Sequence, residues 1–244
     1  MSRVVSWFSC GAASAVASWF QLQQDPERTV VAYCDLLGDE HPDNVRFLEE
    51  CEAWFGVPIL RLRSEKYSGV EDVFERRRYM SGVNGAICTV ELKKKVREAF
   101  QLPDDVHVFG YTSEEGGRAD KVRVNMPELV FSFPLIERGV TKQGCIDILL
   151  QAGIELPVMY RLGYQNNNCL GCVKGGSGYW NKIRRDFPEV FERRVVQSRR
   201  LGVKLVKATV DGVRRPVFLD ELDPEAGHDV KSFDCGILCE TVYN

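Results

Sequence analysis

Nine cysteines among 244 residues are the first side chains in this sequence with chemistry to offer. Cys169-Leu170-Gly171-Cys172 is a C-x-x-C unit next to Asn166-Asn167-Asn168. Two thiolates at this spacing bind one metal ion or two corners of an iron–sulfur cluster. Cys88 follows a Gly-containing loop and precedes the lysines Lys93, Lys94 and Lys95, and Cys235 and Cys239 stand near the C-terminus. A four-thiolate centre can therefore draw on Cys88, Cys169, Cys172 and one of Cys235 or Cys239. Lys174 and Arg184 are the nearby cations that would offset its charge. Spacing does not separate zinc from iron–sulfur. The lack of a strand–helix redox context argues against a thioredoxin-type pair. Cys34, Cys51 and Cys145 sit in apolar stretches and read as core residues.

Ser9-Cys10-Gly11-Ala12-Ala13-Ser14 is the second candidate. It follows the apolar run Val4–Phe8 and opens a helical pattern. A helix N-terminus offers amide donors and partial positive charge, and a glycine lets the backbone approach an anion closely. Ser9 and Ser14 add hydroxyl donors. Small residues at a tight strand-to-helix turn are common, so the motif by itself leaves phosphate binding open. Beyond the next strand, Asp35 begins a polar stretch, and Gly38-Asp39-Glu40-His41-Pro42 within it reads as polar ligand contacts, as metal-bound carboxylates or as a solvated loop.

The elements that must position these residues follow from periodicity. Strands are expected at Val4–Phe8, Thr29–Cys34, Ile59–Leu62, Val106–Gly110 and Leu129–Phe133. Helices are expected over Ala12–Leu22, Asn44–Phe55, Gly69–Arg78 and Thr89–Phe100, with another from an N-cap at Thr141 to Gly153. Strand and helix alternating in this way predict a Rossmann-like three-layer α/β/α sandwich with a mostly parallel sheet. Beyond Pro157 the composition shifts. Arg-rich helices are expected at Tyr179–Phe187 and Pro188–Leu201, and a hairpin turning at Asp211-Gly212. The expected division is a first domain over residues 1–156 and a smaller cysteine-containing helical and hairpin subdomain over 157–244.

The net charge of −3 does not suit a nucleic-acid-coating protein, although a local basic groove is compatible with it. No apolar run reaches the ~20 residues a membrane-spanning helix needs, and the N-terminus lacks a signal-peptide pattern. The expected location is the cytoplasm, where cysteines serve as ligands, catalysts or core residues more often than in disulfides.

Taken in order, these pieces resemble the PAPS reductase family, within the wider PP-loop group of adenine-nucleotide alpha-hydrolase-like proteins. The resemblance runs from about Val4 to Phe191. It is carried by Ser9–Ser14, Glu40-His41-Pro42-Asp43 with Phe47, Cys88-Thr89 with Leu92-Lys93, and Gly110 with Glu114 and Arg118. Pro134-Leu135-Ile136, Pro157, Tyr160, Gly163-Tyr164 and Cys169–Cys172 continue it. It implies an adenine nucleotide (ATP, APS or PAPS) over the carboxyl edge of the sheet, held by Ser9, Cys10, Gly11, Ala12, Ser14, Asp35 and Arg118. It also favours a 4Fe–4S cluster over zinc at the cysteine site of Cys88, Cys169 and Cys172; Cys239 is taken as the fourth ligand because that leaves Cys235, in its Cys-Gly context, free for chemistry. Lys93, Lys121, Arg123 and Lys174 are the implied anion or substrate contacts.

Two departures bear on the reaction. PP-loop ATP pyrophosphatases usually carry a second Gly and an Asp where this chain has Cys10 and Ala13, and sulfonucleotide reductases also lack that Asp. Those reductases end in a Glu-Cys-Gly-x-His segment, for which the nearest match here is Asp234-Cys235-Gly236-Ile237-Leu238, without the His. The expectation is an oxidoreductase or sulfur transferase in which Cys235 attacks the substrate sulfur and a thiol supplies electrons. The first alternative is ATP-dependent thiolation of tRNA or DNA, steered by Lys182, Arg184, Arg185, Arg193, Arg194, Arg199 and Arg200, a run whose plainer reading is a solvated helix face. The second is a nucleotide-binding regulator without turnover.

Overall fold

β1 (Val4–Phe8) is buried at every residue, as a strand with neighbours on both edges and cover on both faces must be. The structure is a computed structural model that describes residues 2–36, 38–82, 85–229 and 233. It divides into two units, one formed by Met1–Leu37, Pro42–Arg63 and Val96–Leu162, the other by Gly38–His41, Ser64–Lys95 and Gly163–Asn244.

The first unit is an α/β assembly. After β1 come α1 (Ala12–Gln24), β2 (Thr29–Cys34), α2 (Asn44–Phe55) and β3 (Leu60–Leu62). β1 pairs in parallel with β2, and β2 with β3. The strands β6 (Val106–Val108) and β7 (Val130–Ser132) lie on the other side of β1, also in parallel. The sheet order is β3-β2-β1-β6-β7, consistent with a Rossmann-like α/β fold.

Side-chain alternation along β1 assigns its cover. The Ser6 hydroxyl lies 2.9 Å from that of Ser18 on α1, and Phe8 stacks with Phe47 of α2 at 6.2 Å. Trp7 points the other way, edge-on to Phe100 and donating its indole N–H to His107 Nδ1 at 3.0 Å. Val16, Leu48, Cys51, Cys145 and Leu149 complete the core on the α1 side. Cys34, Cys51 and Cys145 are buried, and burial pushes the Cys145 thiol up to about 12, as expected of core thiols.

The second unit contains α3 (Val70–Arg77), the short antiparallel pair β4 (Ser81–Gly82) and β5 (Gly85–Ala86), and α4 (Ile87–Thr89). A π-helical turn (Val90–Lys94) then leads into α5 (Lys95–Phe100), most of which belongs to the first unit. In the first unit α6 (Gly116–Asn125) precedes β7. α7 (Pro134–Glu137), α8 (Lys142–Gln151) and α9 (Val158–Arg161) follow it. The cap of α8 is the expected one, with Thr141 Oγ1 accepting the Gly144 N–H at 3.0 Å. The second unit resumes with α10 (Ser177–Asp186), α11 (Pro188–Leu201), β8 (Val206–Val210) and β9 (Val213–Val217). β8 and β9 form the expected hairpin, with Asp211 and Gly212 both at positive φ as its two-residue turn requires. Among the described residues no helix is long and apolar enough to cross a membrane.

Candidate functional site

In the sheet order, β2 and β3 extend to one side of β1, and β6 and β7 to the other. In sheets of this order the carboxyl ends of the two strands at the reversal, here β1 and β6, flank the usual ligand position. The loop Ser9–Gly11 leaves β1 at this point, and Phe109–Thr112 leaves β6.

The first loop closes largely on itself. Ser14 Oγ accepts the Ser9 N–H at 3.0 Å and the Ser9 hydroxyl at 3.1 Å, and donates to the Gly11 carbonyl at 2.9 Å. Cys10 is fully buried and adopts left-handed backbone, φ 54°. Gly11 is extended, φ −111°, a conformation open to any residue, so the conformational demand falls on Cys10 and not on the glycine. The Ala12 N–H donates to the Tyr160 hydroxyl at 3.3 Å.

Gly110 completes the loop by close approach. A Cβ there would lie 2.6 Å from Ser14 N and 2.7 Å from the Ala13 carbonyl carbon and oxygen. Only a residue without a side chain lets the end of β6 meet the first turn of α1.

The other predicted nucleotide contacts are placed as follows. Asp35, at the end of β2, accepts from Arg63 Nε at 2.7 Å and from its Nη2 at 2.6 Å. Arg118 pairs with Glu115, and its guanidinium carbon lies 4.3 Å from the Tyr111 ring centre. Arg123 pairs with Asp120 at 3.2 Å and lies 4.7 Å from the Phe133 ring centre. Lys121, on the same helix, is exposed.

The cysteine loop belongs to the second unit. Gly171 has φ +64°, and a Cβ on it would lie 2.8 Å from Val190 Cγ1. The Leu170 N–H donates to the Asp39 carbonyl at 2.9 Å. The Tyr179 hydroxyl accepts the Cys172 N–H at 2.9 Å and donates to the Cys169 carbonyl at 3.3 Å. That phenol is pushed well above its ordinary range, first by burial and then by Cys172. Cys88, on α4, is also buried, and Cys88 and Cys172 both act electrostatically on Arg194. Lys93 and Lys174 are half-buried in this unit.

Among the described residues no group of three or more His, Cys, Asp or Glu side chains is assembled closely enough to hold a metal ion. What fits a thiolate centre is the donor chemistry: three buried cysteines in one unit. Cys235 and Cys239 lie outside the described residues. Phe233, two residues before Cys235 in sequence, is held in the second unit. Its carbonyl accepts from the Asn166 and Asn168 side-chain amides at 2.8 Å and 3.3 Å, and its ring meets Tyr179 edge-on at 5.0 Å.

The basic run of α10 and α11 is engaged within the second unit. Lys182 and Arg185 pair with Asp186 at 3.0 Å and 2.8 Å, and Arg199 pairs with Asp220 and Glu221, both at 2.9 Å. Arg193 reaches Glu71 at 4.0 Å, and Arg200 pairs with Glu75. Arg184, expected next to the thiolates, donates instead to the carbonyls of Leu219 at 2.8 Å and Leu222 at 3.1 Å. Arg194 is buried; in the sequence it is one more member of a charged run, and nothing in the spacing sets it apart.

No family model matches the chain. It is 27% identical over 194 residues to an uncharacterized protein of Methanocaldococcus jannaschii, a match that covers 76% of this chain and 39% of that protein. The chain thus aligns with about two fifths of that relative's length.

Proposed function

We propose that this chain is an enzyme of the PAPS reductase family that binds an adenine nucleotide and carries out sulfur chemistry. The fold on this reading is a three-layer α/β/α sandwich joined by a cysteine-bearing C-terminal subdomain. The observation that carries the nucleotide assignment is the position of Ser9–Ser14. It leaves the central strand where the sheet order reverses, with Gly110 pressed onto the first turn of α1. Backbone amides at a helix N-terminus suit a phosphate, and the Ser9 hydroxyl can join them by turning away from Ser14 Oγ. Arg118, Lys121 and Arg123 on α6 supply cationic charge in the same unit.

Cys88, Cys169 and Cys172, with Cys239 as the fourth ligand, are assigned to a 4Fe–4S cluster. When bound, such a cluster supplies fixed charge and electrostatic bias to its surroundings. The sulfur step is assigned to Cys235. Its thiolate attacks the sulfonyl sulfur of a sulfonucleotide, and the phosphate oxygen departs with the electron pair. A thiol reductant then attacks the Cys235 sulfur and expels sulfite. A second thiol reduces the resulting disulfide, so two thiols supply the two electrons.

Gly11→Val tests the nucleotide loop. A Cβ at Gly11 meets no atom closer than 3.4 Å, the Tyr160 hydroxyl oxygen, and the backbone is extended, so the fold should survive. Binding of ATP, APS and PAPS, measured by calorimetry, should fall at least about tenfold. Unchanged binding removes the loop from the site. Anaerobic purification with iron analysis tests the centre, and stoichiometric zinc without iron overturns the cluster while leaving the ligands standing. Cys235→Ser should keep iron and nucleotide affinity and lose sulfite release. Retention of all three displaces the reductase mechanism in favour of adenylating thiolation.

A further inference from the structure

β8 and β9 make a two-stranded ribbon in the second unit, with 5 residues in each strand. Its base is packed. Val206 and Val217 stand opposite each other and are buried, and Ser177 Oγ donates to the Lys207 carbonyl at 3.1 Å. Residues 211–216 are all exposed, Val213 to 63%. The register sets Lys207 opposite Pro216 and Thr209 opposite Arg214. These four side chains therefore share the face turned away from the buried valines. Arg215 stands on the other face, opposite Ala208, and is exposed as well.

Residues 204–217 carry Lys204, Lys207, Arg214 and Arg215 against the single carboxylate of Asp211, a local charge of +3 in a chain whose net charge is −3. Among the described residues no carboxylate oxygen lies within 4.0 Å of the charged nitrogens of Lys207, Arg214 or Arg215. The arginines of α10 and α11, in the same unit, differ in this respect. Arg185, Arg193, Arg199 and Arg200 each meet a carboxylate. Lys207 and Arg214 are diagonal neighbours across the ribbon, within reach of each other for long side chains, and like charges so placed do not help the hairpin to form. The ribbon thus exposes positive charge that the protein itself leaves unmatched.

We infer that the β8–β9 ribbon is a docking surface for duplex DNA, with Lys207, Arg214 and Arg215 meeting phosphates. Its cations stand on both faces, which suits a groove with phosphates along both walls better than one compact anion. Strands of this length extend about 17 Å and pair about 5 Å apart. A ribbon of that width enters the B-form major groove, about 12 Å across, whereas the A-form major groove is too narrow for side chains to read. The local field of such a patch acts on a polyanion despite the negative net charge. The nucleic-acid contact expected of the helical arginines passes in this way to residues outside that run. The inference rests on neither the nucleotide loop nor the cysteine centre.

The experiment uses the full chain and a labelled mixed-sequence DNA duplex of about two helical turns, read by fluorescence anisotropy. Bulk tRNA and single-stranded DNA of the same length are the comparison ligands. Between about 50 and 200 mM salt the wild type should lose about fortyfold or more in duplex affinity, the loss that three phosphate contacts give. Replacing Lys207, Arg214 and Arg215 together by Gln should cost about tenfold or more at the lower salt and remove most of the salt dependence. Arg214→Gln alone should lower the log–log salt slope by about one. These side chains are exposed, so melting temperatures should stay at the wild-type value. Arg193→Gln with Arg200→Gln, which removes paired cations from α11, should change duplex affinity less than about twofold. Absence of duplex binding at the lower salt overturns the proposal, as does equal binding by wild type and the triple variant. An equal loss in the α11 variant returns the contact to the helix, and tighter binding of tRNA or single-stranded DNA than of the duplex refutes the choice of partner.

Discussion

The loop at Ser9–Ser14 draws its hydrogen bonds mainly from its own residues, with Ser14 serving Ser9 and Gly11. The loop at Cys169–Cys172 is held by Tyr179, ten residues beyond Cys169, and by Asp39, far earlier in the chain. The first is therefore a local structure that a strand and a helix deliver ready-made. The second exists only once separate segments have met. A site built from backbone is sensitive to atoms added near it. A site built from remote side chains is sensitive to their removal.

The largest effect expected from this contrast is at Gly110. Gly110→Val places a branched side chain within 2.7 Å of backbone atoms of Ala13 and Ser14, and backbone cannot rotate away. A loss of about 3 kcal/mol or more in unfolding stability is expected, the upper end of overpacking costs, with nucleotide binding abolished. Denaturant titration and calorimetry check this. A variant that keeps both its stability and its binding breaks the claim that close backbone approach defines the first loop.

His107, under the sheet of the first unit, gives the next effect and sharpens the comparison through pH. Burial lowers its imidazole from 6.5 to about 4, with Arg97 adding to the shift. Nδ1 accepts from Trp7, and among the described residues Nε2 has no partner. As pH falls through 6.5 the unfolded chain takes up a proton that the folded chain refuses until about pH 4. Stability contributed by the neutral ring is therefore present above 6.5 and is lost on acidification across that window, to a total of about 3 kcal/mol. His107→Gln should flatten this part of the stability–pH curve measured between pH 7 and pH 4. An unchanged slope refutes the assignment.

Tyr179→Phe tests the remote support of the second loop. It leaves the Cys172 N–H and the Cys169 carbonyl without the hydroxyl that serves both, at a cost of about 1–3 kcal/mol. Co²⁺ or iron content should fall, while nucleotide affinity at Ser9–Ser14 stays at the wild-type value. A loss in metal content equal to that of Cys172→Ser is the upper limit, and no loss at all shows that the cysteine loop holds its shape without Tyr179.

The smallest effect is expected at Cys10, where the first loop carries its own strain. Cys10→Gly relieves a left-handed backbone, worth about 1–2 kcal/mol, and forfeits a buried thiol of similar value. The net change should lie within about 1 kcal/mol, readable by thermal melting. A large destabilisation shows that the Cys10 side chain matters more than its backbone.

Alternating apolar runs, the Thr141 cap and the Asp211-Gly212 turn fixed their elements locally, and Thr29–Cys34, Asn44–Phe55 and Pro188–Leu201 run between the same residues in sequence pattern and in structure. Each depends on period, capping and backbone preference within a few residues, which is information the chain carries in order. The placement of Ser9–Ser14 at a strand end was legible for the same reason. The π-helical turn at Val90–Lys94 within the expected helix was not, because a single such turn inside a helix is too short to set a period of its own. Nor was the fate of the basic run on α10 and α11. Arg193, Arg194, Arg199 and Arg200 read as equivalent charges along one helix. Tertiary structure gives three of them a carboxylate and buries the fourth against Phe74. That outcome depends on which surfaces meet in space, since burial and counter-charge are properties of the assembled neighbourhood and have no period along the chain.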